Sequence, residues 1–151
     1  MTRYLVDTNV LLRSIQFGHP MQPQAKAALE SLLQNAHEVC LSSQNLIEFW
    51  NVCTRPLDKN GLGLSVQETY AELTRLERIF SLLSDTPYIY RQWKQLVEKH
   101  EVKGVNVHDA RLVAVMLVNG VSHILTFNTE DFRRFSHITV VNPSEIIPEY
   151  T

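Results

Sequence analysis

Cysteine is scarce in this chain: among 151 residues there are two, Cys40 and Cys53, each inside an apolar segment and not in a spaced pair. That placement excludes a disulfide framework and a cysteine-rich zinc site, and it indicates free buried thiols in a reducing compartment. The six histidines, at positions 19, 37, 100, 108, 123 and 137, form no H-x-x-x-H pair, so a helix-borne zinc centre is excluded as well. No G-x-S-x-G occurs and neither cysteine lies beside a histidine, which removes the usual nucleophilic hydrolases. Long apolar runs are also missing. The longest, Leu112 to Val118, falls far short of the roughly 20 residues of a membrane span. Asp7 interrupts the first apolar run too early for a secretory leader, so the expected location is cytoplasmic. Net charge is −2, which argues against a broad basic face.

What is present is the composition of a soluble domain, with 44% hydrophobic and 20% charged residues. A single domain of this length can bury about 70% of its unfolded surface. Helix-period segments alternate with short β-branched runs, the pattern of βαβ units, an α/β class and a mostly parallel sheet. Strands are expected at Arg3–Val6, Glu38–Leu41, Ile79–Leu83, Ser122–Phe127 and Ile138–Val141. A helix opens near Val10, another near Pro23, and Ser42-Ser43 caps one that runs to Arg55 before Pro56. Further helices are expected from Val66 to Arg78 and after Thr86-Pro87. Leu112 to Val118 is apolar around its whole circumference, so its helix should cross the interior. Leu57 to Leu64 is rich in turn residues and is expected to be mobile. Ser144 is the expected cap of the terminal turn.

Four acids stand out by position. Asp7 follows the first strand in Leu5-Val6-Asp7-Thr8-Asn9, and Glu48 lies in Leu46-Ile47-Glu48-Phe49-Trp50 just after the second strand. Asp109 falls in the first turn of the apolar helix, where the helix dipole favours an anion. Asp131 follows a strand end, in Asn128-Thr129-Glu130-Asp131-Phe132. Each alone suits a cap or a solvated side chain. In a parallel sheet, however, the strand ends share one edge, where ligands gather. Carboxylates brought together there repel by about 4 kcal/mol per close pair at an effective dielectric of 20. A hard divalent ion such as Mg²⁺ or Mn²⁺ is the usual partner of an all-oxygen site, and such ions serve phosphodiester hydrolysis. Setting the four acids aside leaves 14 basic against 12 acidic side chains, so the remaining surface need not repel RNA.

The segments Val6-Asp7-Thr8-Asn9-Val10, Ser43-Gln44-Asn45-Leu46-Ile47-Glu48-Phe49, Val107-His108-Asp109-Ala110 and Leu125-Thr126-Phe127-Asn128-Thr129-Glu130-Asp131-Phe132 resemble, in order, the four motifs of the PIN-domain nucleases. VapC-like toxins of bacterial toxin–antitoxin pairs are the nearest group. The resemblance implies one PIN-like domain over residues 1–151, a small parallel sheet flanked by helices on both faces, and endoribonuclease activity dependent on Mg²⁺ or Mn²⁺. It carries Asp7, Glu48, Asp109 and Asp131 over as acidic ligands, with Thr8, Asn9, Thr126 and Asn128 as hydrogen-bonding support. A homodimer and an antitoxin partner are implied too. Many family members carry Asp where this chain has Asn128. A second function class therefore stays open: a catalytically weak scaffold that binds RNA or protein.

Overall fold

The structure, a computed structural model, describes residues 1–146. Five strands, Arg3–Val6 (β1), Glu38–Leu41 (β2), Ser81–Leu82 (β3), His123–Leu125 (β4) and Thr139–Val141 (β5), pair in the order β3-β2-β1-β4-β5. All the pairings are parallel, with Tyr4 opposite Val39 on one side and His123 on the other. The helices are Thr8–Ile15 (α1), Gln22–Gln34 (α2), Ser43–Thr54 (α3), Val66–Ile79 (α4), Tyr88–Lys99 (α5) and Asn106–Asn119 (α6).

Side chains alternate across a strand, and both faces of this sheet are apolar. Tyr4, Val6, Val39, Leu41 and Leu125 pack with Val10, Leu29, Phe49 and Leu76 from α1 to α4. Leu5, Cys40 and Ile124 pack on the other face with Leu96, Val113 and Met116 from α5 and α6. Each large apolar side chain so buried contributes about 1.5–3 kcal/mol. As expected, α6 runs through the interior, with Leu112 to Met116 buried. Gly120, at φ 69°, ends it in the left-handed conformation that glycine adopts without a Cβ penalty.

Several boundaries depart from the sequence expectation. Ile79 closes α4 and β3 shrinks to Ser81–Leu82, because the Phe80 N–H still bonds back to the Leu76 carbonyl at 2.9 Å. Strand β4 is three residues, His123–Leu125, and β5 begins at Thr139. The 57–64 segment, expected to be mobile, is tied back on α3: Leu62 and Leu64 donate to Val52 and Cys53 at 3.0 and 2.9 Å. Asn142 and not Ser144 caps the terminal turn, its side chain accepting the Ser144 N–H at 2.9 Å. Both cysteines are buried and free. No helix of the described residues is long and apolar enough to cross a membrane.

Candidate active site

Because every strand is parallel, the carboxyl ends of β1, β2 and β4 open on one edge, with β1 between the other two. Asp7 is the residue after β1 and the N-cap of α1, its Oδ1 accepting the Thr8 N–H at 2.8 Å. Its Oδ2 accepts Thr126 Oγ1 at 2.8 Å and Asn9 Nδ2 at 3.2 Å. The turn after β4 is thereby bound to the turn after β1. Asn9 Oδ1 accepts the Phe127 N–H at 3.2 Å and Thr126 Oγ1 accepts the Asn128 N–H at 3.0 Å, which fixes the same junction from the backbone side.

Thr8 links to the third strand end. Asn45 Nδ2 donates to Thr8 Oγ1 at 3.1 Å, and Thr8 Oγ1 donates to the Asn45 carbonyl at 3.3 Å. Ser42, the cap of α3, donates its hydroxyl to Asn45 Oδ1 at 2.6 Å. Thr8, Ser42, Asn45 and Thr126 are all buried, and a buried polar group is costly unless its partners are met. The arrangement is a rigid floor beneath Asp7. Sequence reading anticipated Thr8, Asn9 and Thr126 in this role, and Ser42 as the cap of α3, but not the link of Ser42 and Asn45 to the floor of the site.

Above this floor lies a cleft of about 760 Å³ lined by Asp7, Asn9, Glu48, Asp109 and Asn128, among others. Asp109 feels the charge of Asp7, and both feel Asp131. Burial pushes the Asp7 carboxyl up, against the lowering bonds from Thr126 and Thr8, and Asp131 adds to the rise. Burial also pushes Asp109 up to about 6, helped by the charges of Asp7 and Asp131 and opposed by Arg134. Asp109 is not a helix cap: Val105 holds that position and makes no side-chain cap bond. Glu48 is exposed on the cleft rim and accepts Asn51 Nδ2 at 3.3 Å. Asp131 is exposed and does not line the cleft, although its field reaches buried Asp7 and half-buried Asp109.

None of the ion pairs among the described residues involves Asp7, Glu48, Asp109 or Asp131. Uncompensated carboxylates with an all-oxygen donor set suit a hard divalent ion. Among the described residues no three acidic, histidine or cysteine side chains stand close enough to form a ready-made cage. A smaller, more apolar groove of about 330 Å³ lies between α1, α2 and α4. Its acids, Glu30 and Glu72, already face Lys26 and Arg75 at 3.9 and 3.1 Å, so it lacks the charge deficit of the cleft.

The strand order and the acids at its central edge define a parallel α/β protein with a site at the sheet's switch point. Residues 4–138 match the profile of the PIN domain, and the chain belongs to that family. A search among curated proteins returns no match. Among solved structures, a chain of the VapBC2 complex of Rickettsia felis, bound to a DNA fragment from its promoter, superposes with a TM-score of 0.70 at 16% identity, covering 93% of this chain and 98% of that one. DNA-bound VapBC from Salmonella typhimurium gives 0.69 at 17% identity, over 95% of this chain and 99% of that one. VapC20 of Mycobacterium tuberculosis, described as a toxin that cleaves the sarcin–ricin loop, gives 0.62 at 20% identity, over 87% and 95%. These likenesses concern the fold.

Proposed function

We propose that this chain is a single-domain endoribonuclease that depends on Mg²⁺ or Mn²⁺ and serves as the toxin of a toxin–antitoxin pair. The carrying observation is the charge deficit of the cleft: Asp7 and Asp109 are both raised and neither forms an ion pair among the described residues. Asp7, Glu48 and Asp109 would hold the ion, with Asp131 closing the site from outside. A divalent ion bound there supplies Lewis acidity toward the phosphodiester and lowers the pKa of water. The chain's own residues orient and hold. Thr126, Asn9 and the Thr8 N–H fix both oxygens of Asp7. Asp109 lines the cleft and its side chain makes no hydrogen bond to the described residues, so its carboxylate oxygens would be available to the ion. Asn128, exposed on the cleft lining, offers a carbonyl oxygen where a carboxylate is commoner.

A homodimer, an antitoxin protein and a cytoplasmic location belong to the same reading, supported by the toxin–antitoxin complexes among the solved relatives. The test is cleavage of RNA by purified protein with Mg²⁺ or Mn²⁺, loss of cleavage with EDTA, and loss in D7N. The scaffold reading is favoured by Asn128 and by the absence of a ready-made acid cage among the described residues. It wins if the protein binds RNA or a partner, cleaves nothing with either metal, and keeps its binding in D109N.

A further inference from the structure

Arg111 is the one lysine or arginine among the described residues lining the acidic cleft. Its Nη1 donates to Gln44 Oε1 at 2.9 Å, and its Nη2 lies 3.6 Å from Asp85 Oδ1. Both of these partners are themselves held. Gln44 Nε2 donates to the His108 carbonyl at 2.7 Å, and Ser43 Oγ donates to Asp85 Oδ2. Residues from the start of α3, the segment after β3 and the first turns of α6 thus converge on one guanidinium. An ion pair this exposed, 37% for Arg111 and 43% for Asp85, adds little to stability, so holding the fold together is a weak reason for so organised a cluster.

Recognition is a better reason. A polyanion entering a cleft of carboxylates is repelled unless a cation meets it, and a guanidinium fork matches phosphate oxygens with two parallel bonds. Of the five N–H donors of an arginine, one bonds Gln44 and another faces Asp85, leaving donors for a ligand. The Asp85 contact, at 3.6 Å, is longer than the roughly 2.7–2.9 Å of a charge-assisted hydrogen bond. It orients the fork without saturating it.

We propose that Arg111 grips a backbone phosphate of RNA next to the one at the acids, and that Gln44 and Asp85 are positioning residues that hold its guanidinium ready. The inference rests on the ribonuclease reading above.

The experiment pairs cleavage kinetics with the salt dependence of binding. A short labelled single-stranded RNA serves as probe, with D7N as the background for the binding arm. R111Q is expected to raise KM roughly ten- to a hundredfold with kcat changed far less, as for loss of one charged hydrogen bond. It should also reduce the slope of log Kd against log salt by about 0.7, the loss of one phosphate contact on a single strand. R111K, which keeps the charge but not the fork, should fall between R111Q and wild type in KM while retaining the slope. D85N, whose amide oxygen can still orient the guanidinium while no longer competing for its charge, should bind RNA as tightly as wild type or more tightly. An unchanged KM and slope in R111Q, or D85N weakening binding as much as R111Q, would overturn the proposal and leave the cluster a strut. Protein that binds RNA without cleaving it overturns the ribonuclease reading and leaves the slope to decide the contact. Protein that binds no RNA overturns both.

Discussion

Burial and the fields of Asp7 and Asp131 hold the Asp109 carboxyl at about 6, above the roughly 3.9 of an unfolded chain. The folded state therefore binds this proton more tightly than the unfolded state does. The resulting stability is fully present below pH ~4 and is lost as pH rises through about 6. Metal-free protein should accordingly gain melting temperature relative to D109N as pH falls from 7.5 to 5. The comparison with D109N matters because burial depresses His100 and His123, which pushes stability the other way. At pH 7.5 D109N should melt higher than wild type without metal, yet fail to cleave RNA; marked destabilisation would assign Asp109 a structural role. Thr126, fully buried, donates its hydroxyl to Asp7. T126V keeps the shape and removes the donor, which should cost about 1–3 kcal/mol in a denaturant melt and raise the Asp7 carboxyl further. Asp7 and Asp109 were legible in the sequence because a strand end and a helix start are local patterns. Ser42 was legible as a helix cap, but Asn45's bond to Thr8 and the Asp85–Arg111 pair were not. Asn45 meets Thr8 across 37 residues and Ser43 meets Asp85 across 42, contacts that no local spacing records.

At the scale of elements, the 57–64 segment makes the clearest prediction. Gly61 lies so close to α3 that a Cβ would stand 2.0 Å from the Arg55 carbonyl oxygen. That neighbour is backbone and cannot swing aside. G61A should therefore lower the melting temperature and loosen the segment, seen as faster amide exchange at Leu62 and Leu64; exchange as slow as in wild type would contradict the packing. Turn chemistry was readable here, since glycine and asparagine mark a reversal. That the turn would fold back and bond to Val52 and Cys53 was not, because those bonds depend on where α3 ends. The helices were legible from their period, and α6 most of all from its unbroken apolar run. The short strands blurred at their ends: Ile79-Phe80 continues either a helix or a strand on local pattern alone, and the Leu76 carbonyl decides for the helix.

For the whole molecule, the parallel order β3-β2-β1-β4-β5 brings residues from distant parts of the chain to one edge. Alternation of helix and strand was enough to anticipate that class of fold, and the PIN resemblance to anticipate helices on both faces. The ordering of side chains within the cleft lay beyond it: Glu48 is on the rim and Asp131 outside the lining, though the resemblance carries both over as ligands. An ion that binds only the folded site stabilises it by mass action, about 2.7 kcal/mol at a hundredfold excess over Kd. A Mn²⁺ titration should therefore raise the melting temperature by several degrees in wild type and much less in D7N, on the size scaling of unfolding entropy. The most direct measurement is RNA cleavage by the purified chain across a Mg²⁺ or Mn²⁺ series. Activity that appears with the metal, vanishes with EDTA and is absent from folded D7N is the expected result. Cleavage undiminished in EDTA or in D7N would contradict the proposal that these acids act through a divalent ion.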